Sequence, residues 1–221
     1  MKGDIHRGFR LIFLFLSPLL FSSVFLFTGC LSQEVKDITY YVLEYREYSG
    51  LTQPTREEAY SETVLVEDAA VVELYNRREL VWRGEGPVVG YFDFHHWGIR
   101  LTQMASDLIA ESVEKSGFFQ SVYRKYRVEK ADYIIVPVIE RVEMVKGTEE
   151  KPSKLRLEIE FQWHSENSLE PLFEHTLSYN RELADQEPVT YVLMVNRLLL
   201  EATEEFLEKL ASWKDNLGNE N

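Results

Sequence analysis

Between residues 155 and 163 the chain alternates without a break. Leu155, Leu157, Ile159, Phe161 and Trp163 are apolar, and Arg156, Glu158, Glu160 and Gln162 stand between them. Successive side chains of a strand point to opposite faces of a sheet, so this stretch is a strand with one dry face and one wet face. Such a strand belongs to an antiparallel sheet covered on a single side. The rest of the chain has to supply the cover.

Two segments have the spacing to do so. From Gly98 to Ser116, the residues Leu101, Met104, Ala105, Leu108, Ile109 and Val113 fall three and four apart, and Gly117 is a natural stop. From Pro188 to Lys214, the stripe Val192, Val195, Leu199, Ala202, Phe206 and Leu210 repeats that spacing, with Pro188 suited to a first helical turn. Strands are expected over Ile38–Tyr45, Val64–Val72, Leu80–Arg83, Val88–Phe94 and Phe118–Arg124. Residues 49–61 read as a loop, and Gly84-Glu85-Gly86-Pro87 as a hairpin turn. A further strand runs from Asp132 to Met144, with Ile134, Val136, Val138, Val142 and Met144 expected on one side. Pro137 removes a ladder donor there, which predicts an edge strand or a bulge at that residue. Phe173, Leu177 and Tyr179 mark the hairpin partner of the alternating strand.

The expected fold is α+β, an antiparallel or mixed sheet with two helices packed on one face, in a single domain. The chain divides into 1–29, a lipoprotein signal peptide; 30–38, a tether; 39–214, the domain; and 215–221, a polar tail.

The division rests on the one cysteine. Lys2, Arg7 and Arg10 precede an apolar run from Leu11 to Phe27, and the small pair Thr28-Gly29 leads into Cys30. This is the layout of an export signal. It resembles the bacterial lipobox, with Phe27 where Leu is usual, and predicts cleavage between Gly29 and Cys30. Small side chains let an extended backbone enter a peptidase cleft, and the thiol is the nucleophile that accepts the lipid. Diacylglycerol and an N-acyl chain on Cys30 are then the only added groups expected, with no other cofactor. Each buried methylene contributes about 0.8 kcal/mol, so several chains hold where one is marginal. The alternative is an uncut membrane span over residues 11–27, which Pro18 and Ser22-Ser23 weaken. The tether from Cys30 to Asp37, at about 3.3 Å per residue, reaches roughly 25 Å.

Without residues 1–29 the chain has 192 residues, with 21 Lys and Arg against 36 Asp and Glu. That balance repels nucleic acid and anionic headgroups. No cysteine remains for a disulfide, so stability comes from burial.

Catalytic constellations are not found, and no catalytic residue or enzyme activity is expected. Asp93, His95 and His96 form an Asp-x-His-His group with no third or fourth ligand at any defensible spacing, so no metal site is assigned. His175 has inward parity and reads as a hydrogen-bonded core residue, and Glu204-Glu205 as a solvated helix face, with Glu205 spaced to pair with Lys209. Two features point to contact with a partner or lipid. Val189 to Leu200 is apolar nearly all round, including Leu193, Met194 and Leu200, which exceeds what one core face requires. Trp82, Tyr91, Phe92, Phe94 and Trp97 cluster around the hairpin and the first helix. Core and interface both remain open for these residues.

The order of Tyr40-Tyr41-Val42-Leu43, Val64-Leu65-Val66, Leu74-Tyr75-Asn76-Arg77-Arg78, Leu80-Val81-Trp82-Arg83, Val89-Gly90-Tyr91-Phe92, Trp97 and Asp132-Tyr133-Ile134-Ile135 behind a lipobox resembles the ABC-type transport auxiliary lipoprotein family. The resemblance spans residues 40–211. Members of that family accompany mammalian-cell-entry (MCE) type lipid-transport systems of diderm bacteria. The resemblance implies a non-catalytic subunit, lipid-anchored and facing the periplasm, that docks MCE-type, permease and ATPase subunits. A periplasmic lipid carrier that binds phospholipid is the alternative, and homo-oligomerisation stays open. Leu31 follows Cys30 in place of the aspartate that retains enteric lipoproteins at the inner membrane, which points to the outer membrane.

Overall fold

The structure is a computed structural model that describes residues 36–45, 59–124 and 130–219. Ile38 opens one compact unit. In chain order its described elements are β1 (Thr39–Tyr41), β2 (Tyr60–Val66), β3 (Ala70–Val71), β4 (Glu79–Arg83), β5 (Val89–Trp97), α1 (Leu101–Lys115), β6 (Phe119–Arg124), β7 (Tyr133–Val145), β8 (Lys154–Ser165), β9 (Phe173–Glu182) and α2 (Pro188–Asn219). The nine strands form one open, mixed sheet, and the fold is the expected single-domain α+β class.

The strand β7 is the spine. On one side β8 runs antiparallel to it from Tyr133↔Ser165 to Val145↔Lys154, and β9 pairs the far side of β8. On its other side three short parallel strands stand end to end: β2 (Leu65↔Ile134), β3 (Val71↔Ile139) and β4 (Trp82↔Met144). Beyond them, β6 lies parallel to β2, β5 antiparallel to β4, and β1 parallel to β5 at the sheet's edge. The strand expected over Val64–Val72 is therefore two strands, broken after Val66.

Two expectations for β7 are corrected. The strand is central rather than an edge, and its irregularity lies between Ile139 and Arg141, not at Pro137. The carbonyls of Ile135 and Ile139 accept from the N–H groups of Glu67 (3.0 Å) and Val72 (3.1 Å), so odd-numbered backbone groups here face β2 and β3. Pro137 lies between them, where β2 has ended and β3 has not begun, so its missing donor leaves no ladder partner stranded. The bulge also shifts the parity. Ile135, Pro137 and Ile139 are buried before it, Val142 and Met144 after it, while Ile134, Val136 and Val138 are only half-buried on the other face.

The alternating residues of β8 are all buried, and so are the expected stripes of both helices. Phe161 stacks on Phe206 of α2 at 4.7 Å, and Trp163 stacks between Phe119 (5.5 Å) and Tyr133 (4.6 Å). Full burial of each such side chain stabilises the fold by roughly 1.5–3 kcal/mol. The helix α1 stops where expected: Gly117 takes φ +64°, a conformation costly for other residues, and Ser116 Oγ accepts from Phe118 N–H at 3.2 Å. The helix α2 runs past Lys214 to Asn219. Lys214 is drawn inward, its ammonium 2.6 Å from Glu62 and 4.4 Å above the Tyr60 ring.

Candidate interaction surfaces

The sheet face turned away from the helices was expected to be wet, yet Glu143 on it is 0% exposed. A buried carboxylate is tolerated only with partners. Tyr75, from the β3–β4 connection, donates its hydroxyl to Oε2 at 2.8 Å, and Arg83 of β4 donates Nε to Oε1 at 2.7 Å. Arg156, its register partner on β8, stands 3.9 Å away. The carboxylate holds the Arg83 guanidinium's pKa up. Burial, then the bond to Glu143, pushes the Tyr75 phenol up. These contacts clamp the β3–β4 connection over the sheet and fix where the β4–β5 hairpin stands.

Within that hairpin, the Trp82 indole lies across Gly90, where any Cβ would fall 2.2 Å from the ring. Its Nε1–H donates to the Tyr91 carbonyl at 3.1 Å, and the Lys146 ammonium sits 3.6 Å above it. Arg77 covers Tyr91 at 3.6 Å, and Phe92 meets His95 edge-on. Trp82, Tyr91 and Phe92 are half-buried. Their exposed portions form a ridge capped by two cations.

At the β1 edge, Tyr40 pairs with His96 and Tyr41 with Trp97. The Tyr41 hydroxyl and His95 Nδ1 lie 2.9 Å apart. Burial, then Glu187, pushes the Tyr41 phenol up. Tyr40 meets His96 edge-on at 6.0 Å. Among the described residues no three His, Asp, Glu or Cys side chains gather in metal-binding geometry. Gly98 N–H donates to the Tyr41 carbonyl at 2.6 Å, which brings Gly98 against Val42, whose Cγ1 lies 3.1 Å from where a Cβ on Gly98 would stand. The buried amide of Asn196 on α2 grips the backbone of Glu44, accepting from its N–H at 2.8 Å and donating to its carbonyl at 2.9 Å. The first strand is thereby tied to the last helix.

Of the expected contact residues, Trp97 and Leu200 fill the core, a correction to their reading as contacts. Trp97 packs on Tyr191, whose hydroxyl donates to the Val142 carbonyl at 3.2 Å. Met194 is half-buried and Leu193 is 44% exposed. The apolar surplus of Val189 to Leu200 is mostly core: Tyr191, Val192, Val195, Leu198, Leu199 and Leu200 are all buried. The helix needs more than one apolar face because it packs on the sheet, on α1 and on the segment after β1. His175 is half-buried, and its Nε2 makes no hydrogen bond, lying 3.9 Å from Glu205. Glu205 accepts from the Tyr179 hydroxyl at 3.4 Å. Cys30, Gly29 and the segment 11–27 lie outside the described residues, and no described helix is long and apolar enough to cross a membrane.

Sequence reasoning missed Glu143 and Asn196. A glutamate inside Val142-Glu143-Met144, facing Arg156 across the sheet, was the available signal for the first. Nothing local marks the second, because its partner is 152 residues away.

A mixed sheet with two covering helices, tied by buried polar contacts and edged by half-exposed aromatics, defines an α+β domain. Comparison with known proteins supplies the family. The model of the ABC-type transport auxiliary lipoprotein component family matches residues 41–206, and the chain belongs to that family. Its fold is similar to that of XCC0632 from Xanthomonas campestris, a DUF330 protein, at a TM-score of 0.67 and 16% identity, over 81% of this chain and 99% of that one. It is also similar to an uncharacterized protein at a TM-score of 0.54 and 11% identity, over 79% and 99%. At such identities the likeness is one of fold. No curated protein matches the chain.

Proposed function

We propose that this protein is a non-catalytic auxiliary subunit of an MCE-linked ABC system for envelope lipid transport. In this reading acyl chains on Cys30 anchor it, facing the periplasm, and it docks partner subunits there. One observation carries the reading: the family match covers the folded unit from Tyr41 to Phe206, while an export-type segment ending in Cys30 precedes it. The family description, an auxiliary lipoprotein component of ABC-type transport, supports the supporting rather than chemical role, the envelope location and the association with permease and ATPase chains. Leu31 favours the outer membrane. The carrier reading loses its motive, since the apolar surplus of α2 is largely buried.

Affinity capture from mildly solubilised envelopes tests the proposal. The expected result is co-recovery of an MCE-type protein or of a permease and ATPase pair. Recovery of the chain without any of them, under conditions that keep such complexes intact, contradicts it.

A further inference from the structure

We infer that the β1 edge is a lipid-contacting face, on which the globule rests against the bilayer at the root of its own tether. The inference deepens the anchoring reading and depends on it.

Exposed apolar residues are normal one at a time, and a cluster calls for an occupant. Of the twelve large hydrophobic residues exposed in the described structure, five lie at this edge. Ile38, Tyr40 and Val42 come from β1 and its flanks, and Phe94 and Ile99 from the neighbouring end of β5. Their exposures run from 38% to 55%. Tyr40 is an aromatic of the kind that settles at the headgroup level, with a polar hydroxyl on an apolar ring.

The chain itself decides the occupant. Only the seven residues Leu31 to Asp37 separate Cys30 from Ile38, so the edge cannot stand more than roughly 25 Å from the lipid on Cys30. Charge agrees. Residues 36–45 and 77–100, which supply β1, β4, β5 and their turns, carry five Lys and Arg and five Asp and Glu. The remaining described segments carry twelve against 25. An anionic bilayer repels the acidic remainder and leaves this charge-balanced end free to approach. A second copy is the weaker candidate, because β1 is only three residues long and offers few backbone bonds along its open edge.

The test uses the full acylated chain in phosphatidylcholine vesicles doped with a nitroxide-labelled lipid. Val42→Cys, Ile99→Cys and Leu169→Cys variants each carry a bimane label. Leu169 is fully exposed in the β8–β9 turn, beyond the opposite end of β7. The expected result is quenching at positions 42 and 99 several-fold stronger than at 169. Adding Tyr40→Glu should reduce quenching at 99 several-fold. Equal quenching at all three positions, with the chain still floating with the vesicles, overturns the lipid face and leaves anchoring intact. A chain that does not float overturns both. A concentration-dependent bimane shift without quenching assigns the edge to a second copy and overturns the lipid.

Discussion

The two sides of β7 are held in different ways. On one side a single partner, β8, follows it for its whole length, and the dry face is filled by stacked aromatics. On the other, three short strands share the edge, and a buried ionic clamp at Glu143 fixes the last of them. The first side is built from local repetition and hydrophobic burial. The second is assembled from distant pieces joined by polar contacts, each placed where a strand ends. Burial is therefore the larger source of stability, and polar geometry sets the position of the exposed β4–β5–β1 end.

Substitutions separate the two. Trp163→Ala removes the ring between Phe119 and Tyr133 and should destabilise by about 3–5 kcal/mol, read as a lower urea midpoint. A loss under roughly 1 kcal/mol would show that β8 is not the stabilising side. Arg83→Ala leaves Glu143 with Tyr75 and the more distant Arg156, and should cost about 2–3 kcal/mol, below the full cost of breaking a buried pair because Arg83 is partly exposed. Its second readout is faster amide exchange in residues 79–97 with little change in 155–163.

Alkaline titration sharpens the contrast. Tyr75, Tyr179 and Tyr191 all have phenols raised by burial first, with the nearby carboxylates Glu143 and Glu205 adding to it. A phenol whose folded pKa is raised stays protonated in the fold and ionises when unfolded. Its contribution is complete below about pH 10 and is lost as pH rises beyond that, by about 1.4 kcal/mol per unit for each such tyrosine. Tyr75→Phe should flatten the loss on the clamp side and Tyr179→Phe on the β9 side, read from unfolding midpoints above pH 10. Identical curves for wild type and both variants would contradict the assignment. The smallest effect is expected for Asn196→Ala, about 1–2 kcal/mol, with exchange protection lost in residues 41–45.

The same contrast explains what could be read from the chain. β8, its hairpin partner and both helices were legible because their burial follows a fixed period over many residues. The parity of β7 was not, because one extra residue between Ile139 and Arg141 reverses it and leaves no mark in composition. The break at residues 67–69 was marked only by the adjacent acids Glu67 and Asp68, with apolar runs on either side of them. Trp97 and Leu200 read as contacts because a residue's apolar character does not say which side is covered. Asn196 and Glu143 became visible only once topology had brought their partners beside them.

The central claim is that Cys30 carries the lipid that holds this folded unit at an envelope face. Intact mass spectrometry of the protein extracted from envelopes measures it. The account predicts a chain beginning at Cys30 and heavier than its sequence by a diacylglycerol and one further acyl group. A mass equal to the full 221-residue chain, or to a shorter chain without added lipid, would contradict it.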